Sequence, residues 1–450
     1  MVWIQPNVQV FVPENLIHVE KTPAMLCMFR HFLSNQLLNI YRGGIPVFAR
    51  KFVVGLGFLA TAPIAMLIIV LRPLIQIKFA RVGASRIGEM ALVELYLSWK
   101  SVGLREARSW DLVYLVPPIS NTQLAVMIKR HTTVVPFPSA IHTIYRCIRI
   151  FNQSQFHTTR IMGDGNSFSV ITRRGTQLMF SPTELRRGMQ LLKEIGLPPE
   201  ARWVCIHNRD QEYLTRTLPE SDHAFGGSWS YHKYRNFPVG DLRLASEELV
   251  KRGYYVLRMG SMVAEPFRAD NPMIVDYSSH RLRSDFADIY LLANCELYLG
   301  SDSGIFSVPA VFRKPFAFVN SANFEIHATT YNWNPTPFLI KRAYHRSKQR
   351  FLCLQEMYMA GLNEIDGAKF DNLCKINNVE MVNNTPEEIR DVLTEIIDRI
   401  NGNWHPDPVD EKLQSCFWGT IRRYGHSSNI TDGQARIGAS FLRTHQYLLG

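Results

Sequence analysis

The chain of 450 residues has no Cys-x-x-Cys pair, and its seven cysteines (27, 147, 205, 295, 353, 374 and 416) are scattered and odd in number. A disulfide framework and a structural zinc site are excluded on that spacing, and a reducing compartment suits it. There is no G-x-G-x-x-G dinucleotide fingerprint, no Walker lysine motif, no H-E-x-x-H and no D-x-D at a strand end. Repeats and low-complexity tracts are absent as well. Charged residues are modest at 20%, and apolar ones stand at 46%, which rules out wholesale disorder and coiled coil. What charge there is leans basic: 50 Lys and Arg against 39 Asp and Glu give +11, with a pI near 9.3. That balance suits polyanions such as phosphates, an acidic membrane surface or nucleic acid, and no nucleic-acid motif accompanies it.

One long apolar run is present. Phe52 to Leu71 carries no charge and a single hydroxyl. A helix of that length would span about 30 Å, the thickness of a bilayer's hydrocarbon core. Gly55, Gly57 and Pro63 argue against a simple straight span, so a kinked helix dipping into one leaflet and a buried core helix remain alternatives. Met25 to Tyr41 mixes large apolar residues with Arg30, His31 and Asn35 and reads as an interfacial amphipathic helix.

Beyond this run, short apolar stretches alternate with helical periods, the signature of α/β units. Strands are expected at Leu74–Val82, Asp111–Val116 and Thr132–Val135, with helices at Glu89–Trp99 and Asn121–Arg130. Ser181 with Glu184 forms a capping box for a helix over Pro182–Ile195. Gly196-Leu197-Pro198-Pro199 then breaks the chain. In the second half, strands are expected at Trp203–His207, Tyr254–Arg258, Met273–Asp276, Glu296–Leu299, Pro315–Val319 and Val379–Val382. Helices of about ten residues between them predict a parallel, doubly wound sheet.

In such a sheet ligands bind beyond the carboxyl ends of the strands. The loops there share a theme. His207-Asn208-Arg209-Asp210 follows one strand, Tyr234-Arg235-Asn236 precedes a helix, Arg258-Met259-Gly260-Ser261 follows another strand, and Arg283-Ser284-Asp285 opens a helix. Gly300-Ser301-Asp302-Ser303-Gly304 leads into a further helix, where free backbone N–H groups and the helix dipole favour an anion. Arginines at neighbouring strand ends add bidentate phosphate donors. Together they describe a site for a diphosphate-bearing ligand, neutralised by arginines and backbone dipoles with no metal ligands. In the first half, Arg86-Ile87-Gly88-Glu89 follows the first strand, and Glu89 is either a general base or an ordinary first-turn glutamate. Lys341 to Arg350 holds five Lys/Arg and no acid, and reads as a solvated loop or as a contact for lipid head groups or a polyphosphate.

From Arg81 onward, the order of short motifs resembles a family of bacterial glycosyltransferases found in surface-polysaccharide gene clusters. The matching stretches include Ser85-Arg86-Ile87-Gly88, His207-Asn208-Arg209-Asp210, Tyr234-Arg235-Asn236, Val256-Leu257-Arg258-Met259-Gly260, Arg283-Ser284-Asp285-Phe286, Gly300-Ser301-Asp302-Ser303-Gly304 and Ala435-Arg436-Ile437-Gly438. The resemblance implies a GT-B arrangement, with two Rossmann-like domains facing a cleft. The strand followed by His-x-Arg is also similar to fucosyltransferases that use GDP-fucose, and carries the diphosphate-holding arginine onto Arg209. The first-domain loop is similar to that of heptosyltransferases, where an acid after the glycine is the base; Glu89 holds that place.

The chain then divides into an interfacial segment at 1–50, a membrane-associated helix at 51–73, an acceptor domain at 74–198, a donor domain at 199–402 and a C-terminal tail and helix at 403–450. The expected catalytic residues are Arg209 and Glu89. The donor, a nucleotide-diphosphate sugar, would be held by Arg209, Arg235, Arg258, Ser284, Asp285, Ser301, Asp302, Ser303 and Gly304, with no metal and no further cofactor. The expected activity is sugar transfer to a membrane-associated glycan or lipid-linked acceptor at the cytoplasmic face, without nucleic acid. A sugar-nucleotide epimerase of the same architecture, or a membrane-bound scaffold that binds nucleotide sugars without turnover, are the rival expectations.

Overall fold

The computed structural model describes residues 44–45, 48–49, 52–53, 55–103, 109–151, 153–158, 170–171, 173–217, 233–331, 334, 336–363, 367–425 and 435–450. They belong to two compact units, Met1–Ile77 with Phe137–Thr158, and Lys78–Pro136 with Thr159–Gly450. Apart from four residues, the interfacial segment expected at 1–50 lies outside the described chain.

The first stretch contains α1 (residues 55–71), β1 (Gln76–Gly83), α2 (Ile87–Ala91), α3 (Val93–Ser101), β2 (Ser109–Val116), α4 (Thr122–His131), β3 (Thr133–Val134), α5 (Pro138–Ile150), α6 (Ser154–His157) and α7 (Pro182–Glu194). Among the described residues the smaller unit contains the helical residues 44–45, 48–49 and 52–53, α1, α5, α6 and the chain entering β1. Among the described residues no helix is long and apolar enough to cross a membrane. Within this unit Arg72 lies over the ring of Phe156 at 3.3 Å, and the His157 ring nitrogen Nδ1 meets the Ile77 carbonyl at 2.7 Å.

In the larger unit, β1, β2 and β3 form a sheet in that order, with β2 and β3 parallel. The expected strands lie where the apolar runs put them. Side chains cap two helix starts here, and the Ser181–Glu184 one was expected. Asn121 accepts from the Leu124 N–H, and the Ser181–Glu184 capping box closes in both directions.

The second stretch continues through β4 (Trp203–His207), α8 (Glu212–Thr217), α9 (Arg243–Lys251), β5 (Tyr255–Arg258), β6 (Ile274–Val275), α10 (Asp285–Asn294), β7 (Leu297–Gly300), α11 (Ser307–Val311), β8 (Phe316–Phe318) and α12 (Phe324–Thr330). It ends with β9 (Arg342–His345), β10 (Arg350–Phe351), α13 (Leu354–Met359), α14 (Gly367–Ile376), β11 (Val379–Val382), α15 (Pro386–Ile400), α16 (Pro408–Tyr424) and α17 (Ala439–Thr444). A five-stranded sheet has the order β6-β5-β4-β7-β8, and every pair in it is parallel. These strands read as continuous apolar runs because helices cover both faces of a parallel sheet. Val204, Cys205, Ile206, Leu297, Tyr298 and Leu299 are fully buried.

Two expectations about the second half are corrected. Val379–Val382 does not extend the parallel sheet; it pairs antiparallel with β9, in a separate sheet ordered β10-β9-β11. An apolar run shows that a strand exists without naming its partner. The basic stretch 341–350 is the β9–β10 hairpin rather than a loop, turned at Gln349 with φ 50°. Its first residue, Lys341, is buried.

Candidate functional site

The order β6-β5-β4-β7-β8 reverses direction between β4 and β7, since β5 follows β4 on one side and β7 lies on the other. That switch point leaves a crevice beyond the carboxyl ends of the two strands. Gly300 closes β7 against β4 so tightly that a β-carbon there would collide with the His207 carbonyl. The Ser301 N–H donates to that carbonyl at 3.1 Å. From here the chain turns through Asp302 and Ser303 into a 3-10 turn, Gly304–Phe306, and α11. The Ser301 hydroxyl is buried and has no hydrogen-bond partner among the described residues.

Two arginines stand beside this turn, and a lysine joins them through Asn236. Arg209, just past β4, is buried and donates from Nη1 to the Asn236 side-chain oxygen at 2.6 Å. Arg235 donates to the Asp302 carbonyl at 3.2 Å, with the Asp302 carboxylate 4.0 Å away. Lys341 donates from Nζ to the Asn236 backbone carbonyl at 3.1 Å. Burial, with the charge of Arg235, pushes Arg209 down to about 9. Burial lowers Lys341 to about 8, against the pull of Asp241. Their desolvation is a standing cost that an anion would repay.

Asp302 is the counterweight. Burial alone would raise its carboxyl. The hydrogen bond and charge of His327, the charge of Arg235 and a bond from Asn323 outweigh that and hold it well below the usual carboxylate range. His327 stacks on Phe318 at 4.0 Å and meets the Ser321 hydroxyl at 2.6 Å. Asp302 thus faces Arg235 and Arg209, Asp210 also acts on Arg209, and Asp241 is the carboxylate that faces Lys341.

Arg209, Arg235 and the turn Ser301–Gly304 are therefore brought together. Arg258 is not a member of this group. It is sealed at 0% exposure, donating to Ser278 at 2.6 Å, to the Asn208 side chain at 3.0 Å and to Asp276 at 3.4 Å. Its work is to fix the loop that carries Arg209. Ser284 and Asp285 are also turned elsewhere. The Ser284 hydroxyl caps α10. The Asp285 carboxylate accepts the Thr122 N–H at 2.7 Å and its hydroxyl at 2.6 Å, while Asn121 donates to the Asp285 carbonyl at 3.0 Å. The side chains of Arg258, Ser284 and Asp285 are thus each engaged away from the Ser301–Gly304 turn.

Glu89 stands in the first turn of α2. Its carboxylate lies over Gly83, where a β-carbon would collide with it, and it has no hydrogen bond or ion pair among the described residues. Next to it, Gly88 packs on Gly304: a β-carbon on Gly88 would stand 3.0 Å from the Gly304 Cα and 3.0 Å from its carbonyl oxygen. Tyr213, in α8, donates to the Ser85 carbonyl at 3.4 Å. The loop after β1 and the turn after β7 thus share one edge.

Sequence reasoning missed Lys341, Asn236 and His327 as members of the group. The apolar Phe338-Leu339-Ile340 directly before Lys341 was the available signal that this lysine belongs to a buried edge. His327 had none, since its partners Ser321 and Asp302 meet it only through the fold.

No family model matches the chain, and no curated protein matches it. Among solved structures it is similar to ADP-heptose LPS heptosyltransferase II of E. coli, at 13% identity and a TM-score of 0.31, over 54% of this chain and 84% of that one. It is also similar to a glycosyl transferase of family 9 from Veillonella parvula, at 9% identity and a TM-score of 0.33, over 56% of this chain and 83% of that one. A third is the E. coli heptosyltransferase WaaC with ADP-2-deoxy-2-fluoro heptose, at 10% identity and a TM-score of 0.28, over 54% of this chain and 89% of that one.

Proposed function

We propose that the chain is a glycosyltransferase that moves a sugar from a nucleotide-diphosphate donor to a membrane-associated glycan or lipid-linked acceptor, without a metal ion. The observation that carries this reading is the convergence of Arg209, Arg235 and Lys341 around Asn236 and the Ser301–Gly304 turn. Buried, fork-shaped guanidinium donors beside a backbone turn at a switch point fit a diphosphate. As the glycosidic bond breaks, negative charge builds on the leaving diphosphate, and these fixed cations stabilise it there; such preorganised charge is usually the largest catalytic term. Residues 199–402 would hold the donor and 74–198 the acceptor, with both at the cytoplasmic face. The contact of Gly88 with Gly304 puts the Glu89 helix start beside the donor turn, which supports Glu89 as the base that deprotonates the acceptor hydroxyl.

The test is a thermal-shift and calorimetric screen of the full chain against a panel of nucleotide-diphosphate sugars, followed by single-turnover transfer with the one that binds. Arg209→Ala is expected to lose most donor affinity and turnover with its melting profile intact. Glu89→Gln is expected to bind donor as the parent does and to transfer slowly. Parent-like transfer in Arg209→Ala would refute the reading. Product formed from donor alone, with no acceptor, would point to an epimerase instead.

A further inference from the structure

In the smaller unit, α1 is apolar on both faces, and among the described residues only one of them is covered. Its inner face meets α5. Thr61 Oγ1 lies 3.6 Å from Cys147 Sγ, the Arg146 guanidinium sits 5.0 Å from the centre of the Phe58 ring, and a β-carbon on Gly57 would touch Thr143 at 3.9 Å. Ala65 on this face is fully buried. On the other face Leu56, Leu59, Ile64, Leu67 and Val70 follow at helical spacing and are 50%, 74%, 48%, 56% and 67% exposed. Every other exposed residue between them is Ala, Pro or Met. A continuous apolar stripe of this extent is more than a soluble monomer leaves in water without a use for it.

The charge around the stripe selects the occupant. No Asp or Glu occurs between Glu20 and Glu89, nor between Asp111 and Asp164. Both segments of the unit that follow Glu20 are therefore acid-free, while Arg42, Arg50, Lys51, Arg72, Arg146 and Arg149 fall within them. Arg146 and Arg149 are exposed on α5. A second copy of the chain would bring like charges together at such a face, which opposes association. Anionic head groups would meet complementary charge, and the acyl chains beneath them would meet the leucines.

We propose that the outer face of α1 docks into an anionic bilayer and lies along its interface, with Arg146 and Arg149 of α5 among the lipid head groups. This surface needs neither donor nor transfer, so it stands or falls apart from the proposed activity.

The experiment is co-sedimentation of the full chain with vesicles of phosphatidylcholine alone, and of phosphatidylcholine with phosphatidylglycerol. The parent is expected to pellet with both, more strongly with the anionic ones and less so at high salt. Leu59→Asp with Leu67→Asp is expected to lower partitioning by roughly tenfold or more on both vesicles. Arg146→Gln with Arg149→Gln should lower it by roughly tenfold on the anionic vesicles alone. Both pairs are exposed, so melting profiles should match the parent. Parent-like pelleting of the leucine variant would overturn the proposal. So would failure of the parent to pellet, or a vesicle-free dimer that the leucine variant dissolves into monomers.

Discussion

A β-carbon added to Gly88 would stand 3.0 Å from both the Cα and the carbonyl oxygen of Gly304, so the helix start of α2 and the turn after β7 meet backbone to backbone. Neither glycine is explained by its own φ; what matters is that neither carries a side chain. Gly88→Ala would normally favour a helix by about 1 kcal/mol. Here the overpacking is expected to reverse the sign and cost about 1–3 kcal/mol. Gly419→Ala in α16, whose β-carbon meets nothing within 4 Å, is the control and should stabilise by about 0.5–1 kcal/mol. Chemical denaturation of both variants checks the contrast, and a stabilising Gly88→Ala would show that the two loops do not touch.

Asp285 ties the starts of two helices together, holding the Thr122 N–H and hydroxyl while Asn121 binds its carbonyl. Asp285→Ala leaves a helix-start N–H without its acceptor and should cost about 1–3 kcal/mol. Donor affinity is expected to be unchanged, because the carboxylate faces α4 and not the cations. Calorimetry with the donor identified by the screen, run beside a denaturant melt, reads both quantities. A large loss of affinity at unchanged stability would return Asp285 to donor binding.

Arg258 and Arg209 looked alike in the sequence, each closing a strand, and the fold gives them opposite work. Arg258→Met strands Asn208, Ser278 and Asp276 in a buried place and should destabilise by about 3–5 kcal/mol. Arg209→Lys keeps a charge but loses the planar fork. It should melt like the parent and bind donor roughly tenfold or more weakly. Equal stability losses in the two variants would mean that Arg209 too is a structural arginine.

The same pair shows how far the sequence could be read. Strand positions followed from apolar runs, and the start of α7 followed from Ser181 and Glu184, which cap locally; both kinds of signal are confined to neighbours in the chain. That basic residues gather at the strand ends was visible for the same reason. That Arg258 is sealed was not, because its partners Asp276 and Ser278 stand on a loop eighteen residues or more away. Lys341 enters the group only because β9 starts beside Asn236, a pairing between residues over a hundred positions apart. The partner of Val379–Val382 was hidden likewise: its alternation fits a parallel or an antiparallel neighbour equally well.

Lys341 also makes stability depend on pH with a definite sign. Its folded pKa, lowered to about 8 by burial, lies below the ordinary 10.5. Below pH 8 both states hold the proton and the burial penalty is present in full. Between 8 and 10.5 the unfolded chain holds a proton that the folded one has released, so this group's contribution rises with pH. The span corresponds to about 3 kcal/mol, set against about 1 kcal/mol for the bond to Asn236. Lys341→Met should therefore be more stable than the parent below pH 8, with the advantage shrinking as pH approaches 10.5. Denaturant melts on both sides of pH 8 read this difference. A bound diphosphate would pull the proton back, so donor binding near pH 9 should take up protons in the parent and fewer in Lys341→Met. Calorimetry in two buffers of different ionisation enthalpy measures that uptake, and equal uptake in the two proteins would remove Lys341 from the anion site.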